Sequence, residues 1–386
     1  TGNLAGLGTN TFTGDQVING VTVGKGANSV SNNTAVGQSA LDAAVTGDDN
    51  TAIGKFALTA NTSGHSNTAV GKSAMADNTT GNLNTAVGED ALNFNISGDK
   101  NTAVGERSLQ FNSTADDNVA VGFAALGANT TGIYNVAVGS TALDANTTGV
   151  NNVAVGFRAL STTQTGIDNV AVGTQALYDA TSANYCTAVG GGALGNNTNA
   201  DQNTAIGYVS LGTNTTGANN TAVGHQSLYS NTTAGNNAAF GQRALYLNTT
   251  GFNNTALGTH TLLSNTEGYE NVAVGTSALE DNTTGDSNVA VGRSALANNT
   301  TANNNTAIGY AALSANTTGA QNVAIGPETL DANTTGQDNL GIGFRSLTKN
   351  TTADYNIAIG GGAMHENQTG ENNVAIGRAA LYNNNN

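Results

Sequence analysis

The stretch Asn118-Val119-Ala120-Val121-Gly122-Phe123-Ala124-Ala125-Leu126-Gly127-Ala128-Asn129-Thr130-Thr131-Gly132-Ile133-Tyr134 is one period of the repeat that decides the fold. The period after it opens Asn135-Val136-Ala137-Val138-Gly139, and the period before it opens Asn101-Thr102-Ala103-Val104-Gly105. Followed outward, the motif glycine falls at Gly37, Gly54, Gly71 and onward to Gly377, in equal steps of seventeen, through 21 copies without an insertion or deletion. Numbered from its asparagine, the unit reads N-[TV]-A-[VI]-G-x-x-A-L-x-x-N-T-T-G-x-x. Fixed periods of this kind mark architectures in which one unit cannot bury its apolar face alone and stacks on its neighbours.

The unit spells strand rather than helix. It is rich in Val, Ile, Thr and Gly, its apolar runs are four or five residues long, and a helix pair needs a far longer period. The expected fold is all-β: a parallel β-solenoid, or β-roll, of 21 coils, each coil one period of the sequence. Unbroken periodicity is what stacking requires, because one inserted residue turns every inward side chain outward. At ~4.8 Å per coil, 21 coils predict a rod roughly 100 Å long. Residues 33–386 form this repeat domain. Residues 1–32 precede it, with Gln16 to Gly24 reading as a strand-turn-strand lead-in.

Composition and charge exclude several functions. The 386 residues include 51 Gly and 59 Asn but one Pro, one Cys and no Trp, and only 10% are charged. A net charge of −15 repels phosphate backbones, so no nucleic-acid partner is expected. No run of 18 apolar residues suits a membrane helix, so membrane insertion is not expected. Opening on TGNLAGLG, without Met or an apolar signal core, the chain reads as a fragment or processed product.

Each position of the unit carries a physical expectation. Glycine at position 5 in all copies implies φ > 0 or a backbone too close for a Cβ. Leu at position 9, with Met75 and Met364 the two exceptions, is the expected core plug. Positions 2 and 4 share a face by strand alternation and are expected to point inward together. Asn at position 1 in 20 copies and at position 12 in 18 predicts stacked amide ladders. The alternative for the N-T-T sequence, a glycosylation acceptor, is too regular to suit that role. Position 3 is Ala in every copy but one (Gly341), although it points opposite to positions 2 and 4. An outward residue facing water would vary, so Ala120, Ala137, Ala154 and Ala171 are expected to pack against another copy of the chain. The alternative is a lone solenoid folded over its own loops.

The unit seen at Asn118 to Gly122 and Asn152 to Gly156 resembles the head repeats of trimeric autotransporter adhesins. The longer pattern, through N-T-T-G, is similar to repeats of bacteriophage tail fibres, those of cyanophages especially. Residues Gly8 to Gly20 are similar to segments that precede such repeats. The resemblance covers about 90% of the chain and implies a homotrimeric β-roll in an extracellular, virion or bacterial-surface fibre engaged in host attachment. Adhesin head repeats have a shorter period, which is where this chain departs from them.

Catalytic and metal chemistry find little foothold. His65, His225, His260 and His365 fall at four different variable positions, and Cys186 occupies an Asn-ladder position with no His nearby. No position is acidic in most coils, as a calcium ladder requires. No cofactor, metal site or catalytic residue is expected. The ten tyrosines all occupy variable positions. Tyr178, Tyr229 and Tyr246 at position 10, with Tyr208 and Tyr310 at position 6, are candidate surface contacts. Exposed Tyr beside Asn and Asp is chemistry that stacks on sugar rings and binds their hydroxyls, suiting a cell-surface glycan or receptor. The expectation is a non-enzymatic structural rod of an extracellular fibre, a phage tail-fibre shaft. A bacterial surface adhesin or filament subunit is the alternative. An ice-binding solenoid and a polysaccharide depolymerase are further options.

Overall fold

The computed structural model describes residues 14–43 and 45–383, so residues Gly8 to Thr13 of the lead-in lie outside the described part. Two compact units, Thr1–Thr174 and Gln175–Asn386, divide the chain. Each is a parallel β-solenoid, and together they hold about twenty turns, one turn to each period of the sequence. Every coil contributes one short strand, and equivalent strands pair in parallel and in register: Val153, Ala154 and Val155 pair with Val136, Ala137 and Val138 on one side and with Val170, Ala171 and Val172 on the other.

The first coil has a different neighbour. Strands β1 (Gln16–Ile18) and β2 (Val21–Gly24) form an antiparallel hairpin, and β2 lies antiparallel to β3 (Thr34–Gly37), with Val23 opposite Val36. The Asp15 carboxylate accepts the backbone N–H groups of Lys25 (2.7 Å) and Gly26 (2.9 Å), which fixes the end of the hairpin. The strand-turn-strand lead-in therefore covers a sheet edge that would otherwise present unpaired backbone groups.

Beyond its strand, each coil departs from regular structure. In the coil of Asn118 to Tyr134, Gly122 has φ 135°, and Ala124, Leu126 and Tyr134 sit at φ 51°, 52° and 59°. A non-glycine residue in this left-handed region costs on the order of 1–2 kcal/mol. Hydrogen bonds between coils offset that cost. Ala124 N–H reaches Glu106 O (2.9 Å), Leu126 N–H reaches Ala142 O (2.9 Å), and Ala128 N–H reaches Asp144 O (3.0 Å). Backbone donors thus alternate between the coil before and the coil after, so the turn as well as the strand is hydrogen-bonded to its neighbours.

The interior is narrow. Ala120, Ala125 and Leu126 are fully buried, and so are Asn118 and Asn129. Both asparagines form the expected ladders. Asn118 Nδ2 donates to Gly132 O (2.9 Å), while its Oδ1 accepts Asn135 N–H (2.9 Å). Asn129 Nδ2 donates to Gly132 O (2.9 Å) and to Asn112 Oδ1 (2.9 Å). Buried amides with all partners in place are stabilising, whereas an orphaned one costs about 1–3 kcal/mol. Asn146 shows the difference: the next coil has Thr163 at position 12, and the buried Asn146 Oδ1 has no donor. Burial at position 12 also places the N-T-T asparagine out of reach of a glycosyl donor.

One expectation is reversed. Position 3 points into the coil, and positions 2 and 4 point out. Ala120, Ala137, Ala154 and Ala171 are completely buried within the single chain, so they are core residues and not an assembly face. Val121, Val138, Val155 and Val172 are each 36% exposed. Alternation fixes that positions 2 and 4 share a face; it does not say which. The coil is too thin for Val beside Leu, so the invariant Ala marks the tightest packing. Gly341 makes the point: a Cβ there would lie 2.7 Å from Cγ2 of Thr329, a larger residue at position 8. Added volume at one inward site is taken back at the other.

Candidate functional site

The outward strand face is an unusual surface in both units. Position 4 is Val, Ile, Leu or Phe in every copy, yet it faces outward, with Ile53 40%, Ile206 41%, Leu257 49% and Ile308 39% exposed. Position 2 alternates between Thr and apolar residues on the same face. A side chain about a third exposed leaves on the order of 50 Å² of apolar surface. The nine copies from Val36 to Val172 therefore leave roughly 450 Å², and with position 2 the stripe exceeds the ~300–600 Å² of a typical monomer's largest patch. No charged side chain occupies either column in any copy. The signal is present in the sequence as a column apolar in all 21 copies, although hydrophobicity alone assigns such a column to the interior.

The tyrosines singled out from the sequence sort into separate places. Tyr229 and Tyr246 stack on one another across adjacent coils, with ring centroids 5.5 Å apart and planes 13° from parallel. The Arg243 guanidinium lies over the Tyr246 ring at 5.3 Å. Tyr178 shares their column but is separated from Tyr229 by Gly195 and Gly212. All of these column positions belong to the second unit. Tyr208, 60% exposed, stacks on His225 at 5.7 Å in a different column. Tyr310 is exposed six coils further along and joins none of them. Stacking follows from the fold, since equal positions in adjacent coils lie ~4.8 Å apart, close to ring-stacking distance.

A shallow hollow of about 240 Å³ opens between Tyr178 and Tyr229, floored by Gly192, Gly195 and Gly212 and flanked by Gln175, Asn196, Val209 and Thr213. The gap in the tyrosine column creates it. The two tyrosines stand out in the sequence as candidate contacts, whereas the glycines between them carry no such signal.

The remaining chemistry-bearing residues are accounted for locally. Among the described residues no group of three or more His, Cys, Asp or Glu is close enough to hold a metal ion. Asp99 and Asp116 accept backbone N–H groups of the preceding coil, from Asn82 and Asp99 respectively, both at 2.7 Å. These carboxylates complete turns. Cys186 is buried, donates to Ala200 O (3.3 Å), and is pushed up to about 11 by burial. A folded-state pKa above the unfolded value means that the native chain holds the thiol proton longer. Stability from this group is therefore fully present below pH ~9 and lost as pH rises toward ~11, a change on the order of 2–3 kcal/mol. Cys186→Ala is expected to lack that slope in denaturant titrations compared at pH 8 and pH 11, and wild type to resist thiol reagents at pH 8 until unfolded. Equal slopes, or rapid labelling of the native chain, would contradict the burial.

Fold and site together define a tandem-repeat parallel β-solenoid. No protein-family model and no curated protein sequence matches the chain.

Proposed function

We propose that the chain is a non-enzymatic structural segment of an extracellular fibre, the shaft of a phage tail fibre engaged in host attachment, assembled from three copies. The observation that carries this reading is the stripe at positions 2 and 4: uncharged, regular, apolar at position 4 in every copy, and facing outward. Its occupant is a second and third copy of the same chain. Parallel, in-register strands present an identical row every ~4.8 Å, so two such faces match coil by coil. A standard interface needs about 800 Å² per partner, an area the two columns supply. Stacked coils give reach, while variable positions elsewhere leave the outer surface free to differ. The charge of −15 per chain keeps assembled copies from bundling further. A bacterial surface adhesin or filament subunit would use the same stripe in the same way.

Sedimentation equilibrium tests this reading. The expected native mass is three times 38.4 kDa at micromolar concentration. A stable monomer would overturn it. A specific observation then favours a second reading: Thr68, Thr85 and Thr102 beside Val70, Val87 and Val104 form a regular T-x-V face. A monomer that shows thermal hysteresis would be an ice-binding solenoid.

A further inference from the structure

The hollow between Tyr178 and Tyr229 has the chemistry of a sugar site. Position 10 carries Tyr at 178, 229 and 246 but Gly at 195 and 212, so two coils lack the side chain that would fill the column. The walls stand three coils apart, ~14 Å. Carbons Cε2 and Cδ2 of the Tyr229 ring lie 3.4 and 3.5 Å from where a Cβ on Gly212 would sit, so the ring leans over the floor of the hollow. Its other face is backed by Tyr246, itself covered by Arg243. That stack fixes the ring before any ligand arrives, which lowers the ordering cost of binding.

The polar side chains of the lining are amide and hydroxyl, Gln175, Asn196 and Thr213, and Val209 adds one aliphatic wall. Thr213 Oγ1 donates to backbone carbonyls of Tyr229 and Asn231, which leaves its lone pairs to accept. No Lys or Arg is among the residues lining the hollow, so no lining side chain offers a positive charge to an anion. At 240 Å³ the hollow is smaller than the ~300 Å³ lower bound for drug-sized ligands and suits one ring with its substituents. We propose that it is a carbohydrate subsite taking one neutral hexose or N-acetylhexosamine unit, its C–H face on Tyr229 and its hydroxyls on Gln175, Asn196 and Thr213. The subsite rests on the attachment reading and deepens it by naming a ligand class. It uses positions 7, 10 and 11, none of which belongs to the outward stripe, so self-association leaves it open.

Saturation-transfer NMR on the full chain tests this, with the methyl glycosides of glucose, galactose and mannose, with N-acetylglucosamine and N-acetylgalactosamine, and with N-acetylneuraminic acid as the anionic comparison. At least one neutral probe is expected to bind saturably at millimolar concentration, and the anionic probe to bind more weakly. Gly195→Tyr, which fills the gap with the residue found at Tyr178 and Tyr229, is expected to weaken binding at least tenfold. Tyr229→Ala is expected to do the same, and Tyr310→Ala to change nothing. Circular dichroism checks that each variant is folded; should Gly195→Tyr misfold, the surface substitution Tyr229→Ala decides alone. No binding by any neutral probe, equal binding by the folded variants, or preference for the anionic probe overturns the subsite. Native mass is read separately, so a monomer that binds sugar would sink the fibre reading and keep this one.

Discussion

Gly156→Ala is expected to destabilise the first unit by more than about 3 kcal/mol, although it adds a single methyl group. Gly156 sits at φ 134°, a region that L side chains rarely adopt, and forcing one there costs on the order of 1–3 kcal/mol. Steric contact adds to this. The new Cβ would lie 2.7 Å from both the carbonyl carbon and the oxygen of Gly173 in the next coil. Those atoms are backbone and cannot rotate away, so the coils must separate, weakening the Gly173 N–H to Val155 O bond (2.8 Å) beside them. In a solenoid such damage stays between neighbours, so hydrogen exchange should rise first in the coils flanking residue 156. Gly127→Ala is the comparison. Gly127 lacks a positive φ, its nearest atom is Ala124 O at 3.1 Å, and position 10 holds Ala at Ala76 and Ala297. It is expected to be neutral or to stabilise by a few tenths of a kcal/mol through the unfolded chain. Thermal and urea unfolding of both variants provide the measurement, and equal midpoints would mean that position 5 is glycine for another reason.

Lysine at two adjacent positions should separate folding from assembly. Ala154 is completely buried between Ala137 and Ala171, in an interior lined by Leu and Asn without a counter-charge. Ala154→Lys must bury an ammonium or open the coil, at a cost of several kcal/mol, and is expected to lose native circular dichroism in the first unit. Val155 faces outward and is 36% exposed, so Val155→Lys keeps its ammonium in water while the chain is single. The triple variant Val121→Lys, Val138→Lys, Val155→Lys is therefore expected to remain folded and to sediment as a monomer. Assembly of three such chains would bring nine ammonium groups onto faces that exclude water. A folded Ala154→Lys chain would contradict the inward assignment of position 3. A triple variant with unchanged trimeric mass would place the interface elsewhere.

Most of the architecture was legible in the sequence because periodicity is a direct record of stacking. A period held without a single indel, glycine at position 5 and Leu at position 9 require coils of constant length laid in register. Asn at positions 1 and 12 likewise announces ladders, since a stacked amide is a donor and acceptor for its own equivalent. These features are local or repeat in place, so one chain written out shows them.

Which face of the strand is inside was not legible, and the sequence points the wrong way. Alternation separates Val153 and Val155 from Ala154 but treats the two faces alike, and hydrophobicity favours putting valine inward. Tertiary structure reverses this because the coil is so thin. Leu160 and the Asn ladders fill it, leaving room at position 3 for a methyl group alone. The left-handed turns at positions 7, 9 and 17 were equally hidden, because residues such as Leu126 and Tyr134 have no local preference for that region and are held there by hydrogen bonds from neighbouring coils. The hollow belongs to the same class. Gly195 and Gly212 look like ordinary variation in single repeats, and they become a site only when stacking places Tyr178 and Tyr229 on either side of them. Sequence by itself determined the period, the parallel register and the polar ladders, which depend on equal positions meeting. Tertiary structure alone decided inside from outside and gap from wall, because those depend on how much volume the closed coil can hold.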